Sequence, residues 1–242
     1  APANALTSAA RFGAKTAFLG KAGMDMHGRF LKEILEKEQI DTRGFILDER
    51  YFTTLAFVDL SPEGERTFSF ARKPGADTQI TEKELDMKIL GNTKIFHVGS
   101  LSLTSEPARS TTFAAIKAAK SAGAVISYDP NYRATLWGNV ETAKREMRSL
   151  IPYVDIMKIS DEETALLTDE KEPEQAAKVL LEKGVKLVAD TLGKDGSYIA
   201  NAKGGKRVPG FESNVVDTTG DGDAFWGTFL YKLSQSNESI EK

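Results

Sequence analysis

The spacing of apolar positions changes character twice along the 242-residue chain. Near the start, Leu6, Ala9, Ala10 and Gly13 share one small apolar face, which predicts a helix stopped by Gly13. "KTAFLGKAG" (15–23) reads as a short buried strand ending in glycines. Residues 26–40 place Phe30, Leu31, Ile34 and Leu35 at helical spacing, which predicts an amphipathic helix with those residues on its apolar face. The period then shortens. "TTLAFVDL" (53–60) and "RTFSFAR" (66–72) are rich in β formers and flank a turn carrying Pro62 and Gly64. They predict a β-hairpin over 53–72, and because no helix separates its strands, the hairpin stands apart from any parallel sheet.

From residue 94 the chain alternates. Strands are predicted at 94–100, 124–130, 154–160 and 185–193, and helices at 106–122, 139–150, 161–168 and 173–183. A second hairpin is expected around Gly204–Gly205, and a helix near Asp221. Repeated strand–helix–strand units imply one α/β domain over 1–242, a three-layer α/β/α sandwich with a mainly parallel sheet. Such sheets bind ligands beyond the carboxyl ends of their strands, here the loops 99–105, 129–137, 158–163, 191–196 and 217–223.

Composition narrows the chemistry. A net charge of −3 supplies no field for nucleic acid or for an anionic membrane surface. The chain has no cysteines, which excludes disulfides and thiolate metal sites and is compatible with a reducing, cytoplasmic setting. No apolar run is long enough to span a bilayer. The two histidines, His27 and His97, form no metal motif, and His97 in mid-strand reads as a core residue.

One stretch carries candidate chemistry. "DTTGDGDAFWG" (217–227) holds three glycines and three acids where an apolar helix begins. A glycine-rich turn entering a helix presents unpaired backbone N–H groups and the positive end of the helix dipole, both of which favour an anion. Without a Gly-Lys-Ser/Thr it is not a Walker loop, and its place late in the chain is wrong for a dinucleotide fingerprint. Two readings stand: a polar turn with a helix cap, or a phosphate-binding loop in which Asp223 accepts the proton of an attacking alcohol.

An ordered set of blocks across essentially the whole chain separates them. "APAN", "GKAGMDMHGRFL", "GERTFSFARKPGAD", "FHVGSLSL", "YDPNYRATLW", "KISDEE", "TLGKDGS" and "DTTGDGDAF" resemble those of the ribokinase-like carbohydrate kinases, in particular the fructokinase branch. The resemblance implies ATP-dependent phosphorylation of a sugar, D-fructose to fructose 6-phosphate. Another ketose, a keto-deoxy acid, ribose, a nucleoside, or a non-catalytic sugar- or nucleotide-binding role are the alternatives. It makes Asp223 the general base and the amides of Gly220, Asp221, Gly222 and Asp223 the anion hole. Thr191, Gly193 and Gly196 are then nucleotide contacts, and Glu163 orders magnesium through water. Arg133 contacts the transferring phosphate, and Asn4, Phe70 and Arg72 are sugar or lid residues. Asp217 and Thr219 hold a monovalent cation, potassium, and the 53–72 hairpin becomes part of a small β-lid that excludes water and forms a homodimer contact.

Each assignment has a plainer reading. Arg133 could pair with Asp129 or Asp161, and Glu163 could be an exposed residue of a first helical turn. Asn4 could be a helix cap, and Phe70 and Arg72 edge-strand surface. The chain also departs from the family pattern. Asp221 replaces an alanine; a carboxylate ~6 Å from a phosphate charge costs about 3 kcal/mol at an effective dielectric of ~20. Ser160 replaces an asparagine common in other branches, and Asp190 lies in a strand where relatives are apolar. The chain opens inside the family's first signature and ends soon after the helix that follows Asp223, so N- and C-terminal segments are expected to be lacking.

Overall fold

The computed structural model describes residues 1–60, 66–212 and 217–236. The elements run α1 (Pro2–Arg11), β1 (Gly20–Gly23), α2 (Met26–Lys37), β2 (Phe45–Asp48), β3 (Leu55–Leu60), β4 (Arg66–Ala71), α3 (Met87–Gly91), β5 (Ile95–Val98) and α4 (Ala108–Ser121). They continue with β6 (Val125–Tyr128), α5 (Val140–Leu150), β7 (Ile156–Ser160), α6 (Asp161–Thr168), α7 (Pro173–Glu182), β8 (Leu187–Thr191), β9 (Ser197–Asn201), β10 (Gly204–Val208) and α8 (Asp221–Gln235).

The alternating region builds the main sheet, ordered β10-β9-β8-β7-β6-β5. β5 to β8 are parallel, and β9 and β10 return antiparallel. Successive strand residues point to opposite faces, and the core divides accordingly. Met157, Ile159 and Val188 pack into the larger cluster with Ile116, Met147, Leu167 and Leu180 of the helices α4 to α7. Ile156, Leu187 and Ala189 pack on the other face against Trp226 and Leu230 of α8. The result is the expected three-layer α/β/α sandwich. Among the described residues no helix is long and apolar enough to cross a membrane.

Two contacts fix α8 in its layer. Trp226 is fully buried, stacks on Phe229 at 5.0 Å, and donates its indole N–H to Ser127 Oγ on β6 at 2.9 Å. Gly227 lets α1 lie directly against α8, because a Cβ there would stand 2.0 Å from the Ala5 carbonyl. A mid-helix glycine costs about 1 kcal/mol against alanine, and this approach is its compensation.

Three expectations need correction. The helix over residues 26–40 forms, but of its four apolar residues only Leu35 is buried; Phe30, Leu31 and Ile34 are 59, 45 and 37% exposed. Helical spacing specifies a shared face, not the element that covers it. The expected strand over 15–23 is broken: Ala17 makes an isolated parallel bridge to Asp41, and Gly20–Gly23 pair in parallel with the unpredicted β2 as a separate two-stranded sheet. The second hairpin turns before Gly204, and both Gly204 and Gly205 lie in β10. The first hairpin forms as expected, β3 against β4 and apart from the main sheet, with its turn outside the described residues.

Candidate active site

The carboxyl ends of β5 to β8 and the start of α8 lie together at one end of the sheet, so the five loops picked from the sequence converge there. Some helices are capped by side chains: Asp25 accepts the His27 and Gly28 amides at the start of α2, and Asn139 accepts the Thr142 amide at the start of α5. α8 has no such cap. Its N-cap is Gly220 at φ +88°, a left-handed conformation that favours glycine. Among the described residues the N–H groups of Gly220, Gly222 and Asp223 have no acceptor. The Asp221 amide differs from the sequence expectation, being turned to the Thr218 carbonyl at 3.2 Å. The turn therefore offers three open amides rather than four, at the positive end of a 15-residue helix.

Asp223 lies in the first turn of α8, with 13% of its side chain open to solvent. Asn4 Nδ2 donates to its Oδ2 at 2.9 Å. This bond follows from the α1–α8 packing that Gly227 allows. Asn4 lies inside α1, whose N-cap is Ala1, so it is not a cap; it holds the carboxylate. Asp221 is exposed, pointing its charge away from the interior.

Behind the turn is a buried polar cluster. Glu163 is 4% exposed, which rules out the surface reading. Its Oε1 accepts the Tyr132 amide at 2.7 Å and its Oε2 the Ser160 amide at 3.0 Å. Ser160 and Glu163 form a reciprocal capping box on α6, a pattern legible as S-x-x-E. Burial pushes the Glu163 carboxyl up, and the nearby Asp129 adds to the effect. Asp129 is 3% exposed at the end of β6, and burial raises its carboxyl too, while Lys158 opposes the shift. Lys158 Nζ donates to Asp129 Oδ2 at 3.0 Å. The motif reasoning gave Lys158 no role and named Asp129 only as a possible partner of Arg133, although a lysine between buried apolar residues in "IMKIS" is a signal that could have found the pair.

His97 belongs to the scaffold. Ser127 Oγ accepts from the Trp226 indole and lies 3.0 Å from His97 Nδ1, so one hydroxyl joins β5, β6 and α8. Burial lowers His97 to about 4.

The remaining residues divide. Arg133 pairs with neither Asp129 nor Asp161; its Nη1 donates to the Tyr132 carbonyl at 2.7 Å and its guanidinium lies 5.9 Å from the Phe68 ring. Phe68 stacks on Phe70 within β4, at 6.2 Å. Arg72 is held by Asp77, Thr104 and the Leu101 carbonyl at 2.8, 2.7 and 2.8 Å, anchoring the base of the hairpin to the loop after β5. Thr191 Oγ1 donates to the Ile159 carbonyl at 3.2 Å. Gly196 is required by the fold itself: φ is +97° and a Cβ would stand 2.0 Å from the Val208 carbonyl. Gly193, at φ +56°, has nothing within 4 Å of such a Cβ, so its backbone is open to a ligand. Asp217 Oδ1 accepts the Thr219 amide at 2.8 Å on the exposed approach to the turn.

Comparison with known proteins gives the family and the fold. A family model described as "pfkB family carbohydrate kinase" matches residues 1–242. The probable fructokinase-5 of Arabidopsis thaliana is 41% identical over 242 residues, covering all of this chain and 75% of the relative. The fructokinase of Vibrio cholerae O395, solved in a fructose, ADP and calcium ion bound form, superposes with a TM-score of 0.90 at 34% identity, over 99% of this chain and 77% of that one. A putative ribokinase II from E. coli in complex with ATP and magnesium gives a TM-score of 0.89 at 28% identity, over 98% of this chain and 76% of that one.

Proposed function

The chain belongs to the pfkB family of carbohydrate kinases, and from that premise we propose that it transfers the γ-phosphoryl group of ATP to fructose, giving fructose 6-phosphate and ADP. The observation that carries the chemistry is Asp223: a carboxylate steadied by Asn4 in the first turn of α8, beside the open amides of Gly220 and Gly222. The sugar hydroxyl oxygen forms a bond to the γ-phosphorus as the bond to the β,γ-bridging oxygen breaks. The hydroxyl proton passes to Asp223, and the bond's electron pair leaves with ADP. The open amides and the helix dipole stabilise the charge on the transferring group.

The nucleotide lies along Thr191, Gly193 and Gly196, with its phosphates toward the glycine turn. The buried carboxyl of Glu163 suits magnesium held through water, since both its oxygens already accept amides and the ion retains much of its own hydration. When bound, magnesium neutralises phosphate charge. Asp217 and Thr219 would hold a monovalent cation, potassium, whose positive charge would support the turn's grip on an anion. Fructose as the acceptor is supported by the fructokinase relatives rather than by any one side chain. Asn4 acts chiefly by orienting Asp223. Arg133 reaches the phosphoryl group from its place under Phe68. The β3–β4 hairpin, with Phe70 and anchored by Arg72, serves as a lid that keeps out water able to hydrolyse ATP, and carries a homodimer contact. A cytoplasmic location, where ATP is abundant, accompanies this reading.

ADP release is measured with ATP and magnesium across fructose, other ketoses, ribose, a keto-deoxy acid and a nucleoside. Fructose is expected to give the highest kcat/KM. Asp223→Asn is expected to lower kcat by ~10²–10⁴ while calorimetry still shows sugar binding. Sugar binding without turnover by the unmodified protein would make it a binding protein, and an unaffected Asp223→Asn variant would remove the base.

A further inference from the structure

The kinase reading leaves a buried charge unused directly behind the glycine turn. Lys158 lies on β7, and the side chains of Lys158 and its partner Asp129 are 8% and 4% exposed. Ile156, two residues earlier, packs on the α8 face of the sheet, and strand alternation turns Lys158 to the same face. An ammonium has three N–H donors, yet among the described residues its only hydrogen-bond acceptor is Asp129 Oδ2, at 3.0 Å. The other Asp129 oxygen is buried with no hydrogen-bond partner among the described residues. A buried ammonium is costly unless its donors are met, so one acceptor leaves this one incompletely satisfied.

The lysine also points at a particular place. A Cβ on Gly222 would stand 3.3 Å from Lys158 Nζ and 3.4 Å from Cε. Gly222 contributes one of the three open amides, so ammonium and anion-binding turn are in near contact. A Cβ at position 222 would make the lysine end give way by a few tenths of an ångström.

We propose that Lys158 is a charge-compensating, positioning residue for phosphoryl transfer: Asp129 holds its ammonium behind the Gly220–Asp223 turn, where it strengthens the turn's hold on the negative charge of the moving phosphoryl group. The proposal rests on the kinase reading. It assigns the Asp129–Lys158 pair a role beyond joining the ends of β6 and β7, and accounts for glycine at position 222.

A double-mutant cycle separates the two roles. Turnover by the unmodified protein on the sugar panel comes first, and its absence defeats the kinase reading itself. Lys158→Met, Asp129→Asn and the double variant are then compared, with circular dichroism as the folding control. In the Asp129→Asn background, Lys158→Met is expected to lower kcat a further ~100-fold, with sugar KM held within ~3-fold. Lys158→Arg, which keeps the charge, is expected to remain within ~10-fold of the unmodified kcat. The proposal is overturned, with the kinase reading intact, if Asp129→Asn and the double variant turn over equally, or if Arg and Met at position 158 lose activity alike. A double variant that does not fold overturns it too, by assigning the pair to the scaffold.

Discussion

Asp190 offers the sharpest test of the hydrogen-bond network behind the site. It is 1% exposed on β8, and its Oδ2 lies 2.9 Å from Thr164 Oγ1. The same hydroxyl lies 2.8 Å from the Ser160 carbonyl, and it has one hydrogen to give. When Asp190 is protonated, its O–H donates to Thr164 and Thr164 donates to Ser160. When it is ionised, one hydrogen faces two acceptors. Burial pushes the Asp190 carboxyl from 3.8 up to about 6; Thr164 and Lys158 oppose the rise, and Asp161 and Glu174 add to it. A folded pKa above the unfolded one means that the folded chain binds more protons between those values, so stability falls as pH rises through that window. The interval from 3.8 to about 6 corresponds to about 3 kcal/mol once pH is well above both values. About 1 kcal/mol of this is incurred by pH 4.5, leaving about 2 kcal/mol to appear between pH 4.5 and pH 8.

Asp190→Asn keeps a donor to Thr164 at every pH and carries no charge. Its stability advantage over the unmodified protein should therefore grow by about 2 kcal/mol from pH 4.5 to pH 8, in urea unfolding followed by circular dichroism with the m-value unchanged. An advantage that is constant within about 0.5 kcal/mol across that range would refute the reasoning, because the folded protein would then hold the Asp190 carboxyl no higher than the unfolded chain does.

Other perturbations probe other parts of the argument. Asp221→Ala removes an exposed charge beside the turn, so ADP should bind roughly 3- to 10-fold tighter at low salt and less so at high salt; unchanged or weaker binding by calorimetry contradicts the repulsion. Gly196→Ala should cost at least about 1–3 kcal/mol in thermal unfolding, from its positive φ and the Val208 carbonyl 2.0 Å from the new Cβ. Gly193→Ala, with open space around its Cβ, should lose less stability and more nucleotide affinity, and the reverse order would show the two glycines misassigned. Lys21 Nζ lies 2.7 Å from both Asp48 and Glu84, so Lys21→Met should destabilise by about 3–5 kcal/mol in urea unfolding. The Arg50 hydrogen bond, joined by Lys21, holds the Asp48 carboxyl below its usual range, so this stabilisation is present at neutral pH and lost in acid; Lys21→Met should flatten the acid limb of the stability curve.

The layers of the molecule were legible because their signals are local. The short, near-continuous buried runs in "VDIMKIS" and "VKLVADTLG" mark strands covered on both faces, since a strand's side chains take opposite sides whatever else the chain does. The glycine turn before α8 was legible for the same reason: φ +88° at Gly220 and an uncapped helix start are properties of a few consecutive residues. The S-x-x-E pattern of the Ser160–Glu163 capping box is local in the same way, but the burial of Glu163 is not, and the sequence left an exposed first-turn residue open.

What faces what was decided only by tertiary packing. Asn4 meets Asp223 across 219 residues because Gly227 lets two helices close to backbone contact, and no local pattern encodes that distance. Lys158 acquires its meaning from Gly222, which reaches it only when α8 packs on the sheet. The apolar stripe of α2 announced a buried face, yet Phe30 and Leu31 remain exposed. Periodicity follows from the geometry of one helix, whereas burial needs a second surface, and that surface belongs to the assembled fold.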